Sequence, residues 1–232
     1  MNKDSLKQNY LQCSKNVKNI IQIFDHLHGR WAFLAKAHRN EKILGVGCGN
    51  VLPYKIKTLF PNIIYTGIDI CNYPEDSGIK FADNFIVCSP VEFHNEIKRK
   101  EKYYDKILSC HNLEHCDNRD ETLIAMAKAL KTNGLLYISF PSETTINLPS
   151  RRGTLNYYDD KSHKQIPPEY KTVINILKNN GMEILFSRKN YKPFLPFLIG
   201  FLLEGISKRK NKVLFGTWDY YGFETVIWAK KK

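Results

Sequence analysis

The feature that most constrains the fold is a glycine-rich stretch at residues 41–51, with the sequence EKILGVGCGNV. Its apolar run at 43–46 predicts a buried strand, and the run stops at Gly47-Cys48-Gly49. Glycine accepts backbone conformations that other residues avoid, and its missing side chain lets a ligand approach backbone N–H groups closely. The stretch therefore predicts a strand, a tight turn and a helix whose N-terminus faces a ligand.

A second apolar run, at residues 63–68, ends in Asp69 about twenty residues after the glycine turn, the spacing typical of nucleotide-binding strands. A carboxylate at the end of the neighbouring parallel strand can accept hydrogen bonds from both ribose hydroxyls of a nucleoside. The turn, the spacing and the acid together predict a nucleoside cofactor. The dinucleotide pattern Gly-x-Gly-x-x-Gly would need glycine at position 52, where Leu52 stands, so a nicotinamide cofactor fits less well.

Strands and helices alternate along the rest of the chain. Strands are predicted at 43–46, 63–68, 84–88, 104–109, 134–140, 182–189 and 222–230, and helices near 51–60, 90–100, 118–131 and 167–180. This order predicts an α/β fold, a Rossmann-like, doubly wound, seven-stranded and mostly parallel sheet with a C-terminal antiparallel strand pair. We expect one domain over 1–232, with an N-terminal helical cap at 1–40, a substrate loop at 142–166 and an apolar and basic insertion at 191–216.

Two further segments carry a family resemblance. Residues 103–115, YYDKILSCHNLEH, are similar to the fourth-strand motif of class I S-adenosylmethionine-dependent methyltransferases. Residues 129–141, ALKTNGLLYISFP, resemble the fifth-strand motif of the same family. With the glycine turn, the resemblance covers 41–141 well and 167–232 loosely.

The chain departs from the family pattern at three places. Gly45 replaces the usual acid of the first motif, and Val51 replaces its third glycine. Cys88-Ser89 stand where an acid commonly reads the adenine amino group. The resemblance implies S-adenosylmethionine as the cofactor, held by residues at the ends of the first four strands: Gly45, Gly47, Cys48, Gly49, Asp69, Ile70, Ser89, Ser109, Cys110 and His111.

The stretch 142–166 is long for a connection and rich in functional side chains. It follows the fifth strand, so it begins at the carboxyl edge of the sheet, where open α/β sheets bind ligands. It resembles the substrate loop of bacterial methyltransferases that act on cell-surface sugars. We expect it to supply a general base with an orienting acid, anion donors and stacking rings: His163, Asp159 or Asp160, Arg151 and Arg152, and Tyr157 and Tyr158. His115 is the second candidate base. The simpler interpretation is a solvated turn, because Asp-Asp-Lys-Ser is good turn chemistry.

His111-x-x-Glu114-His115 also matches an inverted zinc-protease pattern. That pattern belongs inside a helix, whereas here it begins where a strand ends, and it would leave the glycine turn and Asp69 without a role. We therefore expect no metal.

Composition bounds the partners. The chain has 35 basic and 23 acidic residues, a formal net charge of +12, which favours an anionic partner or a set of solvated lysines. The six cysteines form no C-x-x-C pair and indicate a reducing compartment. The polar N-terminus lacks an apolar signal core, so we expect a cytoplasmic protein. The apolar and then basic residues 193–210 suggest peripheral contact with the inner membrane surface, a lid over a lipid-linked substrate, a dimer contact or a lid on the protein's own core. The oligomeric state stays open.

These features favour a methyltransferase that acts on a hydroxyl of a small molecule or surface glycan, with an anionic or lipid-linked acceptor among the options. A histidine base suits a sugar hydroxyl, whose proton must leave as the new bond forms. RNA methylation is less favoured, because no Asn-Pro-Pro-Tyr-type motif follows the fourth strand. A non-catalytic cofactor-binding protein would fit the missing acids.

Overall fold

A computed structural model describes residues 28–232 of the protein. Its strands are β1 (Lys42–Val46), β2 (Ile64–Asp69), β3 (Asn84–Val87), β4 (Tyr104–Cys110), β5 (Leu130–Pro141), β6 (Met182–Arg188) and β7 (Glu224–Lys231). Its helices are α1 (Arg30–Ala35), α2 (Leu52–Leu59), α3 (Phe93–Lys98), α4 (Arg119–Ala129), α5 (Tyr170–Asn179), α6 (Phe194–Lys210) and α7 (Thr217–Tyr221). Short 3₁₀ turns occupy Gly78–Phe81, Leu113–His115, Glu143–Asn147 and Tyr157–Asp159.

The seven strands form one sheet in the order β3-β2-β1-β4-β5-β7-β6. Strands β1 to β5 pair in parallel, and β7 lies antiparallel to both β5 and β6. The predicted fold class is confirmed, including the C-terminal antiparallel pair. The strand order reverses between β1 and β4, which opens a crevice at the carboxyl edge of the sheet.

Alternating strand residues cover both faces of the sheet. On one face, Leu44 and Ile107 belong to a buried cluster with the helices that follow β3, β4 and β5. On the other face, Ile43 and Tyr65 belong to a cluster that includes side chains of α1 and α2. Burial on both faces explains the nearly continuous apolar strands in the sequence.

Two boundaries differ from the sequence prediction. Strand β5 begins at Leu130, inside the predicted helix 118–131, because Leu130 pairs with Tyr104 before the register shifts. Helix α6 fills most of the predicted insertion 191–216. The predicted cap at 1–40 lies largely outside the described residues; the described part includes α1, whose Phe33 and Leu34 are buried.

Candidate active site

The turn after β1 contains two glycines whose surroundings differ. Gly47 and Gly49 both have φ of +61°, a left-handed conformation that strains other residues. A Cβ on Gly47 would stand 2.0 Å from Oδ1 of Asn112, so the Asn112 side chain already fills that space. A Cβ on Gly49 would meet no atom within 4 Å. The turn is therefore packed beneath Gly47 and open above Gly49, where a ligand can approach the backbone.

Asp69 ends β2 beside this turn and is buried. Its Oδ2 accepts from the backbone N–H of Gly49 at 2.8 Å, and its Oδ1 accepts from that of Cys71 at 3.0 Å. The Tyr73 hydroxyl also donates to Oδ1, at 3.5 Å. Oδ2 retains a second lone pair for a ligand hydroxyl. Asp69 and Ile70 line a cleft of about 550 Å³ whose apolar wall includes Pro90 and Phe93.

Gly45 lies inside the sheet rather than in the cleft, which corrects its predicted place among the cofactor residues. A Cβ at Gly45 would stand 1.9 Å from the hydroxyl oxygen of Tyr65, which projects from β2. Tyr65 is completely buried. The motif acid is thus missing because a tyrosine from the neighbouring strand occupies its space.

A second hollow, of about 340 Å³, lies on the other side of the glycine turn and shares Gly47 with the cleft. Cys48, Gly49 and Cys110, three of the residues predicted to hold the cofactor, line this hollow. It also contains two cations that the sequence analysis did not single out, Arg30 and Lys55. No motif marks either residue, and Arg30 lies far from the turn in the chain.

Two other predicted cofactor residues do not reach either hollow. Ser109 is completely buried within β4, because side chains alternate along a strand and its own points into the core. The Ser89 hydroxyl accepts from the backbone N–H of Glu92 at 3.3 Å, so it shapes the turn before α3. Both predictions are corrected to structural roles.

His111 follows β4 and lines the cleft, but both of its ring nitrogens are engaged. Nδ1 lies 3.1 Å from Oε1 of Glu114, and Nε2 contacts Oε1 of Glu224 at the start of β7. Burial opposes a charge on the imidazole, but hydrogen bonds to the two carboxylates raise the pKa of His111 to about 9. His111 is therefore an imidazolium at neutral pH and cannot accept a proton.

His115 lines the cleft at the end of the 3₁₀ turn that follows β4. Its Nδ1 lies 3.1 Å from the Ser162 hydroxyl oxygen, and that hydroxyl donates to Oδ1 of Asp160 at 2.6 Å. Because the Ser162 proton is committed to Asp160, the short contact requires Nδ1–H of His115 to donate to Ser162. Nε2 of His115 then carries the lone pair, as a general base requires.

His163 lies next to His115, with ring centroids 4.9 Å apart, but it does not line the cleft. Its side chain is 5% exposed, and Nδ1 donates to the carbonyl of Tyr157 at 2.6 Å. Burial lowers the pKa of His163, so the ring is neutral. The structure thus brings the two predicted bases and Asp160 together, but only His115 borders the cleft.

Arg119, at the start of α4, fixes the loop beside the turn after β4. Its Nε donates to the carbonyl of Leu113 at 3.0 Å, and its Nη1 donates to that of Ile166 at 2.6 Å. The backbone N–H of Lys164 donates to the carbonyl of Glu114 at 2.7 Å. The two segments that carry His115 and Ser162 are therefore held together by hydrogen bonds between residues about fifty positions apart.

The remaining loop residues lie in other positions than their predicted roles require. Arg151 is buried in an ion pair with Glu204 and does not line the cleft, and Arg152 donates to the carbonyl of Lys210 at 3.3 Å. The Tyr157 ring is buried, so it cannot stack on an acceptor, whereas Tyr158 is exposed. Asp159 accepts three backbone N–H bonds from its own loop, those of Arg151, Leu155 and Asn156. None of these side chains lines the cleft, and Arg151, Tyr157 and Asp159 hold the loop in place instead.

Two loop lysines that the sequence analysis did not assign do line the cleft. Lys161 and Lys164 are exposed there beside Ser162, and Nζ of Lys164 lies 3.3 Å from Oδ1 of Asp117. No sequence signal marks these two lysines, because a loop has no regular period of buried and exposed positions.

Within the described residues, the group that could hold a metal is not the sequence pattern His111-x-x-Glu114-His115. It is Glu114, His115 and His163, whose ligand atoms lie within 4.8 Å of one another. Oε2 of Glu114 is buried without a hydrogen-bond partner, while Oε1 faces the charged His111. The ion pair with His111 already offsets the charge of Glu114, which makes this group a poorer metal site. The expectation of no metal stays a prediction.

Fold and site together define an α/β protein with a crevice at the switch point of its sheet, the place where open α/β sheets bind their ligands. Residues 21–186 match a family model described as a methyltransferase domain. Because the match covers more than half of the chain, the protein belongs to that family and is an S-adenosylmethionine-dependent methyltransferase.

Solved structures share the fold at low identity. A methyltransferase from Archaeoglobus fulgidus is 22% identical, with a TM-score of 0.52, over 94% of this chain and 94% of that chain. One from Mesorhizobium loti is 13% identical, with a TM-score of 0.57, over 87% and 97%. The cyclase SpnF is 15% identical, with a TM-score of 0.52, over 89% and 80%. No curated protein matches the chain. A protein named as a cyclase has the same fold, so the fold does not identify the methyl acceptor. Evidence for the acceptor has to come from the residues of the site.

Proposed function

We propose that the protein transfers a methyl group to a hydroxyl of a small molecule or surface glycan, with His115 as the general base. The observation that carries this proposal is the chain Asp160–Ser162–His115, which ends at a cleft that Asp69 also lines. A hydroxyl acceptor needs such a base, whereas a more nucleophilic acceptor would not.

The described residues fit S-adenosylmethionine. The open backbone at Gly49 and the carboxylate of Asp69 suit the adenosine, and Arg30 and Lys55 in the second hollow suit the methionine carboxylate. When bound, the cofactor supplies an electrophilic methyl group on a sulfonium sulfur. The motif acid lost at Gly45 leaves no gap, because the Tyr65 hydroxyl fills it, so this departure does not favour a non-catalytic protein.

The chain's own residues would act on the acceptor proton. Asp160 holds the Ser162 hydroxyl, Ser162 orients the His115 ring, and Nε2 of His115 receives the proton as the acceptor oxygen attacks. Hydrogen bonds from Ser162 lower the pKa of Asp160 against the effect of its partial burial, so Asp160 remains a carboxylate. It then stabilises the imidazolium that forms on His115.

Lys161 favours an acceptor that carries an anionic group, such as a phosphate or a uronic acid, and Lys164 can contribute because its ion pair with Asp117 is exposed and therefore weak. Both are exposed and lie on the loop that carries Ser162, so an anion bound between them would place a nearby hydroxyl beside His115. Arg151, the cation favoured by the sequence, is occupied by Glu204.

The test is methyl transfer from S-adenosylmethionine to nucleotide sugars and lipid-linked glycans, followed by histidine variants. We expect His115→Ala to lower turnover by about 10²–10⁴-fold with unchanged cofactor affinity, because a positioned base contributes about that factor. His163→Ala should cost less, since His163 does not border the cleft. His94 also lines the cleft, but among the described residues no hydrogen bond links its side chain to the loop. His94→Ala is therefore the matched control.

Full turnover in His115→Ala would overturn the proposed base. If His163→Ala alone abolishes turnover, the base is His163, as the sequence first suggested. RNA methylation would instead show as transfer to unfractionated tRNA or rRNA, with no activity on any glycan.

A further inference from the structure

Helix α6 is attached to the protein through small and polar residues. A Cβ on Gly200 would stand 1.9 Å from the carbonyl oxygen of Gly216, so the helix packs backbone to backbone at that point. One turn further on, Glu204 binds Arg151 through an ion pair, and the Ser207 hydroxyl accepts from Nη1 of Arg151 at 2.8 Å. Gly200 and Ser207 are buried. The inward face therefore makes close, specific contacts.

The outward face of α6 is apolar. Phe194 is 78% exposed, Leu202 is 69% exposed and Phe201 is 58% exposed. At 100° per residue these side chains fall on one stripe, opposite Gly200 and Ser207. The stripe consists of Phe194, Leu195, Leu198, Phe201, Leu202 and Ile206. A helix that keeps polar groups inside and aromatic rings outside is the reverse of an ordinary surface helix.

Positive charge continues this stripe at the C-terminal end of α6. Lys208, Arg209 and Lys210 form the last turn and are exposed, and Arg209 falls in line with the apolar side chains. The whole chain has a formal net charge of +12. An apolar stripe that ends in cations matches the surface of an anionic bilayer, with acyl chains beneath and phosphate headgroups above.

We propose that the outward face of α6 binds an anionic phospholipid membrane, with the helix lying in the plane of the interface. Seventeen residues give a helix of about 25 Å, which offers a long contact surface. None of the helices among residues 28–232 is long and apolar enough to cross a bilayer. A second copy of the chain is a poorer occupant, because each copy has a formal net charge of +12 and the stripe contains no acidic residue to offset the repulsion between two copies.

The membrane face is connected to the loop that lines one side of the active-site cleft. Arg151 joins that loop to Glu204 and Ser207, and the backbone of Arg152 bonds to Asn211 and Val213, just after α6. Binding through α6 would hold residues 150–164 near the membrane surface. If the proposed hydroxyl methylation is right, the acceptor is then a membrane-borne glycan; the membrane contact itself does not depend on that proposal.

The test is flotation of the full chain with phosphatidylcholine vesicles and with vesicles that also contain phosphatidylglycerol. We expect binding to the anionic vesicles that weakens as salt is added, because the basic turn is screened. The double variant Phe201→Glu with Leu202→Glu should bind at least about tenfold more weakly, since two large apolar side chains can no longer be buried. Arg209→Glu should weaken binding to anionic vesicles by about fivefold or more.

Leu185→Glu is the matched control, because Leu185 is exposed on β6 and lies outside the stripe. It should bind vesicles like the unaltered protein. Cofactor affinity, measured by calorimetry, should be the same in all variants, which shows that they fold and separates this result from the proposed function. The inference is overturned if the chain does not float with anionic vesicles, or if the double variant binds them equally well. Concentration-dependent dimerisation abolished by the double variant, without vesicle binding, would assign the face to a second copy instead.

Discussion

At the scale of single residues, neighbouring side chains occupy the space that a side chain would need at two glycines of the site. Asn112 fills the volume beside Gly47, and the Tyr65 hydroxyl fills the volume where the motif acid would lie at Gly45. Of these three glycines, Gly49 is the one with open surroundings. The departure from the family pattern at Gly45 is thus a local exchange of volume, while Asp69 both binds the glycine turn and lines the cleft.

Asp69→Ala should weaken S-adenosylmethionine binding by about 1.5–3 kcal/mol, because a carboxylate acceptor for the ribose is lost and the glycine turn is loosened. Titration calorimetry measures the change. Asp120→Ala removes an exposed acid in the first turn of α4 and should leave the affinity unaltered. Equal affinities for the Asp69 variant and the control would contradict the assignment of the cofactor site.

The cluster of Glu114, His115 and His163 should hold no metal, because His111 already neutralises Glu114 and the proposed base needs its lone pair. Elemental analysis of protein prepared without a histidine tag should show clearly substoichiometric zinc. One zinc per chain that disappears in His163→Ala would show the opposite, and His115 could then not serve as a free base.

At the scale of elements, the long loop and α6 act as one unit. Arg151 on the loop and Glu204 on the helix form a mostly buried ion pair, to which Tyr221 of α7 also donates at 2.6 Å from its hydroxyl to Oε1 of Glu204. The capping hydrogen bonds of Asn156 and Asp159 close the loop on itself. The loop is therefore an ordered structure with its position set by α6.

Arg151→Ala should destabilise the fold by about 3 kcal/mol, because removing one partner leaves Glu204 partly buried and uncompensated. Urea denaturation followed by circular dichroism measures the loss. The neighbouring Arg152 is exposed, so Arg152→Ala should change stability by less than about 0.5 kcal/mol. A stable Arg151→Ala protein with a raised acceptor KM would instead return Arg151 to the acceptor site.

At the scale of the whole molecule, His111 connects distant parts of the chain. It follows β4 in the middle of the sheet, and its two carboxylate partners come from the adjoining 3₁₀ turn and from β7 near the C-terminus. The first residues of β7 can hold Glu224 there because β7 pairs with β5 over its length. One charged ring thus joins the parallel half of the sheet to its antiparallel end.

This ion pair makes stability depend on pH. The pKa of His111 is raised from its ordinary 6.5 to about 9, so its contribution is complete below about pH 6.5 and is lost as the pH rises through 9. The loss amounts to about 3 kcal/mol. Urea denaturation at a series of pH values should show this decline, and His111→Asn, which tolerates the left-handed backbone, should flatten it. An identical decline in the variant would assign it to other groups.

The sequence by itself determined the strands, the glycine turn and the acid at the end of β2. These features are local, because an apolar run, a glycine and a spacing between two strands report directly on the backbone that they form. The fold class followed from them, and the family resemblance of 103–115 and 129–141 implied the cofactor and marked the segment that carries His115.

Only the tertiary structure decided which side chains of 142–166 face the cleft. Arg151 and Tyr157 looked like ligand-binding residues, yet each is held by a partner outside the loop, Glu204 and Arg119 respectively. A loop has no period that assigns its side chains to faces, so hydrogen bonds to residues about fifty positions away set their directions. For the same reason the sequence analysis ranked His163 ahead of His115 as the base, and it could not show that α6 turns its aromatic rings toward solvent.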